Sequence, residues 1–163
     1  MKKIHIGARP NWKETADKAG FKFHTMYGEP YWDEDSVYEF DLAEVEQEIE
    51  DPATELHAMC LDAVDHIVRS EELMTRLEIP TPHWDMIANS WAARTPELYG
   101  RFDFIYDGTG AAKMLEYNGD TPTSLYESAS FQWQWLEDMI QQGRLPEGSD
   151  QFNGIYEALQ KRF

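Results

Sequence analysis

The chain has 163 residues, with 14 Lys and Arg against 31 Asp and Glu, a formal charge of −17, and 42% hydrophobic and 13% aromatic residues. Such a composition belongs to a globular chain able to bury a core, one domain or a domain with a small appendage, and excludes a disordered polymer. The charge argues against nucleic-acid phosphates and anionic membranes as partners, and favours amines, polycations and divalent metals.

A single cysteine, Cys60, leaves no internal disulfide and no cysteine-based zinc site. It suits a reducing compartment. The start, Met1-Lys2-Lys3-Ile4-His5-Ile6, lacks the apolar run of a signal peptide. No stretch approaches the roughly 18 apolar residues of a spanning helix. The expectation is a soluble, cytoplasmic protein.

Residues 11–40 are aromatic-rich and irregular, with Phe21 and Phe23 alternating as in a short strand and Gly28-Glu29-Pro30 reading as a turn. Asp41 reads as the N-cap of a short acidic helix through Glu50, whose Glu44–Asp51 charge run suits a solvated face. Pro52 opens the next helix. There Leu56, Met59, Cys60, Ala63, Val64, Ile67 and Val68 recur at three and four residues, which predicts a core-facing stripe. On that face Cys60 reads as packing. The five histidines are scattered and have no metal-ligand spacing.

Ser70 starts another helix with Leu73 and Leu77 inward, and Pro82 begins one through Ala93. After Gly100 the pattern changes. Residues 101–106 and 112–118 have strand character around Asp107-Gly108-Thr109-Gly110, a hairpin turn signal. Gly108-Thr109-Gly110 lacks the pattern of a phosphate-binding loop. Pro122 and Thr123 open a long helix with Leu125, Ala129, Gln132, Trp133, Leu136 and Ile140 inward, ending at Gly143. In this phase Trp133 faces the core and Trp135 faces out. Gln151 to Phe163 reads as a last helix.

With the hairpin centred on Gly108 and Thr109, Arg101 stands opposite Glu116 and Asp103 opposite Met114. Arg101, Asp103, Glu116 and Asn118 then share one face. Two readings fit. One is a solvated face laced by a cross-strand ion pair. The other is a magnesium site, since two carboxylates and an amide oxygen are hard ligands that leave room for water and phosphate oxygens. In the second reading Arg101 neutralises a phosphoryl oxygen. The segment Asn118-Gly119-Asp120-Thr121-Pro122-Thr123-Ser124 adds hydroxyls and helix-start amides suited to an anion, or to ordinary capping.

Leu98-Tyr99-Gly100-Arg101-Phe102-Asp103, followed by Leu115-Glu116-Tyr117-Asn118-Gly119-Asp120-Thr121-Pro122-Thr123-Ser124-Leu125, closely resembles the glutathionylspermidine synthetase family of ATP-grasp ligases. Tyr31-Trp32-Asp33-Glu34 and Asp150-Gln151-Phe152-Asn153 look similar too, and the resemblance runs from about Arg9 onward. Gly119 stands where the family usually has Ala.

The resemblance implies a mixed α/β (α+β) fold, with an antiparallel hairpin and packed helices within an ATP-grasp architecture. It implies an ATP- and Mg²⁺-dependent ligase that activates a carboxylate as an acyl-phosphate and joins it to an amine. By position, Asp103, Glu116 and Asn118 match the magnesium ligands. Arg101 matches the arginine on the transferring phosphate, with Asp103 at the nucleotide, and Thr121 and Ser124 match residues holding the peptide substrate. Glutathione-like peptides and polyamines are the implied partners.

Family members are longer, so the expectation is that residues 1–163 are their N-terminal portion, truncated and inactive alone. The nucleotide-clasping lysines would then come from a missing C-terminal half or a complementing chain. The other function class is a free-standing binding or regulatory module that keeps the site without turnover.

Overall fold

Strand β1 (Lys2–His5) pairs antiparallel with β4 (Ser36–Glu39), placing Ile4 opposite Val37 and Lys2 opposite Glu39. Between them lie helix α1 (Trp12–Lys18) and a two-residue hairpin, β2 (Thr25–Met26) with β3 (Glu29–Pro30). The computed structural model describes residues 1–120 and 122–163. Phe21 and Phe23 are not on a strand. They sit in the turn after α1, where Phe21 is fully buried against Ala16 and Phe131. Side-chain burial, rather than ladder pairing, sets their alternation.

By its internal contacts the chain divides into two units: Met1–Val45 with Asp120–Phe163, and Glu46–Gly119. The first unit holds two clusters of buried side chains. One is Ala16, Phe21 and Phe131, joined by Trp12, Trp32 and Tyr126; the other is Trp135, Leu136 and Met139, joined by Ile6 and Val37. A buried ion pair is set among them. Arg9 Nε donates to Glu34 Oε1 at 2.5 Å and Nη2 to Oε2 at 3.2 Å, while Nη1 reaches Asp138 at 2.6 Å. Trp32 Nε1 also donates to Glu34 Oε2, at 2.7 Å. The buried charges are thus paired and hydrogen-bonded, the condition for tolerating them away from water.

The acidic helix after Asp41 does not stop for Pro52. Helix α2 (Leu42–Val45) is followed by a π-helical turn, Glu46–Glu50, and then by α3 (Asp51–Ile67) with Pro52 in its first turn. A proline has no N–H for the carbonyl four residues back. That carbonyl, of Glu48, accepts instead from Ala112 N–H at 2.7 Å. The stripe on α3 corrects the sequence reading. Its period is as expected, but only Val68, just past its end, is buried, and Met59 is 59% exposed. Periodicity says which face could be buried; burial needs a partner, and the second unit supplies little of one.

Helix α4 (Glu71–Arg76) starts as expected, with Ser70 Oγ capping Leu73 N–H at 3.2 Å. Met74 is its buried residue, and Leu77, expected inward, is exposed. A 3₁₀ turn, Thr81–His83, leads into α5 (Trp84–Ala92). Strands β5 (Arg101–Ile105) and β6 (Lys113–Asn118) form the hairpin.

The helix after Ser124 corrects a second reading. Its first turns include a π-helical stretch, Glu127–Phe131, before α6 (Gln132–Gln141). A π turn carries one extra residue, which advances the buried stripe by one position. Trp135 and Met139 are therefore inside, and Trp133 is partly exposed. Gly143, at φ +66°, ends the helix as expected. Helix α7 (Ile155–Arg162) completes a mixed α+β chain of helices and small antiparallel sheets.

Candidate functional site

The hairpin loop, residues 106–112, is longer than a two-residue turn. Asp107 Oδ1 accepts from the Thr109 hydroxyl at 2.8 Å and from its N–H at 3.0 Å, and Gly108 and Gly110 take the left-handed conformations at φ +88° and +69°. The Thr109 hydroxyl, then its N–H, holds the Asp107 carboxyl below the usual range.

The register departs from the expected one. Asp103 stands directly opposite Glu116, and Arg101 opposite Asn118. Between Asp103 and Phe104 the ladder shifts by one residue, so Leu115 is the extra residue of a bulge and Phe104 pairs with Met114. The bulge and the longer loop together move the upper pairs by two positions. A shift of two preserves the face, so Arg101, Asp103, Glu116 and Asn118 remain on the same side. Directly opposed residues stand about 4.5–5.5 Å apart at their β-carbons, closer than the diagonal pairing expected for Asp103 and Glu116.

Within this face Arg101 binds Asp103 in a two-pronged contact, Nε to Oδ1 at 2.6 Å and Nη2 to Oδ2 at 3.0 Å. Asn118 Nδ2 donates to Glu116 Oε1 at 3.0 Å. The Arg101 hydrogen bonds, aided by Glu116 and opposed by burial, hold the Asp103 carboxyl below the usual aspartate range. An ionised carboxylate offers about four lone-pair positions, of which Arg101 takes two on Asp103. The Asn118 Oδ1 is an acceptor directed by its own amide donor. These are hard oxygen donors, and one or two carboxylates with an amide oxygen suit Mg²⁺. Among the described residues no three His, Cys, Asp or Glu side chains are grouped to hold a metal, so a metal here would rest on this smaller donor set.

The opposite face is aromatic. Phe102 stacks on Phe104 with centroids 5.6 Å apart and lies tilted against Tyr117 at 4.4 Å, and His57 of α3 meets Tyr117 edge-on at 6.1 Å. Gly100 lies against the Tyr117 ring so closely that a β-carbon would come 2.6 Å from Cε2. The reading of Tyr117 and Phe102 as the apolar side is met, while Leu115 is displaced into the bulge and exposed.

Of the residues matched to the peptide substrate, Thr121 lies outside the described residues. Ser124 belongs to the first unit, at φ +73°, with its Oγ 3.4 Å from the Tyr31 hydroxyl. That hydroxyl donates to the buried Glu127 at 2.6 Å. The sequence reading named Tyr31 only as part of a motif and did not single out Glu127. The spacing Ser124-x-x-Glu127 was the available signal, and it reads as a capping pair. Tyr31 also lines a cleft of about 350 Å³ with Trp12, Trp32, Asp33 and Glu34.

The model of the glutathionylspermidine synthase preATP-grasp family matches residues 3–163. The chain belongs to that family. A Haemophilus influenzae protein assigned provisionally as an acid–amine ligase is 43% identical over 162 residues, 95% of this chain and 38% of that protein. The bifunctional glutathionylspermidine synthetase/amidase of Escherichia coli is 30% identical over 128 residues, 77% of this chain and 20% of its own length. Trypanothione synthetase of Crithidia fasciculata is 31% identical over 87 residues, covering 53% and 13%. The chain thus spans well under half the length of these ligases. No helix among the described residues is long and apolar enough to cross a membrane.

Proposed function

We propose that this chain supplies the metal-binding and donor-binding side of an ATP- and Mg²⁺-dependent carboxylate–amine ligase with an ATP-grasp architecture. The observation that carries the reading is the hairpin face. Asp103 is opposed to Glu116 and pre-oriented by Arg101, and Asn118 is tied to Glu116, within a family whose named relatives join acids to amines. Asp103, Glu116 and Asn118 would hold Mg²⁺, which when bound offsets phosphate charge. Arg101, held beside the carboxylates by its two bonds to Asp103, would offset negative charge on the transferring phosphoryl group.

In the proposed reaction a donor carboxylate oxygen attacks the γ-phosphorus of ATP, forming an acyl-phosphate and releasing ADP. The amine nitrogen then attacks the acyl carbon, the carbon–oxygen bond to phosphate breaks, and the nitrogen loses a proton. Thr121 and Ser124 are the donor-binding residues, and a glutathione-like peptide and a polyamine are the proposed substrates. The acidic chain, at −17, suits a cationic acceptor. The exposed apolar residues of the second unit, Met59, Met86 and Leu115 among them, suit cover by further polypeptide carrying the nucleotide-clasping lysines.

Coupled ADP release with glutathione and spermidine tests this. Residues 1–163 alone should stay at background. The same sequence joined to, or mixed with, a polypeptide supplying the rest of a ligase of the relatives' length should turn over, and Arg101→Ala should lower that rate at least a hundredfold. Robust turnover by the 163 residues alone, or an unaffected Arg101→Ala, would contradict the assignment.

A further inference from the structure

The cleft of about 350 Å³ in the first unit has walls of one kind and charge of one sign. Trp12, Tyr31 and Trp32 give it three aromatic rings, and Asp33, Glu34 and Asp35 give it three carboxylates. No Lys, Arg or His is among the described residues that line it. Its volume falls within the range of about 300–1,000 Å³ that small-molecule sites occupy.

The rings are fixed by residues that do not line the cleft. Trp12 meets His24 edge-on at 5.2 Å, Trp32 meets Phe131 edge-on at 4.9 Å, and Tyr31 meets Phe21 edge-on at 6.4 Å. Tyr31 nonetheless stays 40% exposed. Hydrogen-bond donors along the wall are spent within the protein. The Tyr31 and Trp32 N–H groups both go to the His24 carbonyl, at 3.0 and 3.1 Å, and the Asp35 N–H goes to Asp33 Oδ1 at 3.0 Å. Trp32 Nε1 donates to Glu34 Oε2, and the buried Arg9 neutralises Glu34. Asp33 has only an exposed contact with Lys3 at 3.6 Å, and no ion pair among the described residues engages Asp35.

What the cleft chiefly offers is therefore aromatic surface and carboxylate lone pairs. An anion would be repelled there. An ammonium is attracted both by ring faces and by the carboxylates, while its carbon chain packs on the rings. Trp12 already draws one such group, the Lys13 Nζ lying 5.6 Å from its ring centre.

We infer that this cleft binds an alkylammonium group, with Trp12, Tyr31 and Trp32 around the carbon chain and Asp33 and Asp35 facing the charge. The group can belong to a free amine or to a lysine side chain. The inference uses none of the hairpin residues and does not depend on metal binding there.

The test is NMR titration of the 163-residue chain with butylammonium chloride, following the indole N–H signals of Trp12 and Trp32. Both should shift saturably and before the other indoles. Butan-1-ol, of similar shape but uncharged, should bind at least tenfold more weakly, and sodium chloride at equal ionic strength should not reproduce the shifts. Asp35→Asn, a conservative change at an exposed residue, should weaken butylammonium at least threefold and leave butanol unaffected, at unchanged thermal midpoint. Trp12→Leu should weaken both ligands. Nα-acetyl-lysine methylamide carries the same butylammonium arm on a peptide backbone. Tighter binding of it than of butylammonium assigns the cleft to a lysine side chain, and equal or weaker binding assigns it to a free amine. Equal affinity for butanol and butylammonium, unresponsive Trp12 and Trp32 indoles, or a butylammonium affinity untouched by Asp35→Asn would overturn the inference.

Discussion

Asp103 is the residue on which the electrostatics of the hairpin face turn, because it faces a second carboxylate while Arg101 holds its carboxyl below the usual range. Arg101 supplies the compensation. Since the folded value is depressed below the ordinary value of about 3.9, the pair's contribution is present above that value. It is lost as pH falls through the lower folded one. Carboxyl-detected NMR should therefore give an Asp103 midpoint below the ordinary value, rising toward it in Arg101→Ala. A midpoint above about 4 in the intact chain would contradict the pairing. Arg9 and Glu34 behave differently because both are buried. Glu34→Ala removes two of the buried Arg9 guanidinium's carboxylate bonds and leaves it, of the two carboxylates, only the part-exposed Asp138, so it should cost about 3–5 kcal/mol in urea unfolding. Asp138→Ala, at a partner whose side chain is 41% exposed, should cost about 1 kcal/mol or less.

The elements explain which parts of this architecture a sequence can disclose. Strand alternation placed Arg101, Asp103, Glu116 and Asn118 on one face, and that survives because it depends only on parity. The pairing partners depended on loop length, and Asp107 closes its own turn onto Thr109 in a longer loop with a bulge at Leu115. Helix starts at Ser70 and stops at Gly143 were legible from local chemistry. The swap of Trp133 for Trp135 was not, because a π turn at Glu127–Phe131 has no local sequence signature and rotates everything after it. Nor was the β1–β4 pair, whose partners are separated by more than thirty residues. Gly100 is a further case: its role is the Tyr117 ring lying against it. Gly100→Ala should force that ring off Phe102 and destabilise the second unit by about 1–3 kcal/mol, read as a lower urea midpoint. An unchanged midpoint would mean the aromatic face tolerates repacking.

For the whole chain, the family match over residues 3–163 and the 43% identity to the Haemophilus protein fix the family, while the chain's 38% share of that protein leaves acid–amine ligation as a proposal. The resemblance read from Arg101-Phe102-Asp103 and Glu116-Tyr117-Asn118 pointed to the same family. The central claim is that the polar hairpin face holds a divalent metal. Mn²⁺ can stand in for Mg²⁺ at oxygen sites, and its unpaired electrons broaden the NMR signals of nearby nuclei. Titrated into the 163-residue chain, Mn²⁺ should first broaden the Asn118 side-chain amide and the Asp103 and Glu116 backbone amides. Excess Mg²⁺ should reverse this, and Asp103→Asn or Glu116→Gln should abolish it at unchanged thermal midpoint. Broadening that starts elsewhere on the acidic surface, or that persists in both variants, would contradict the account.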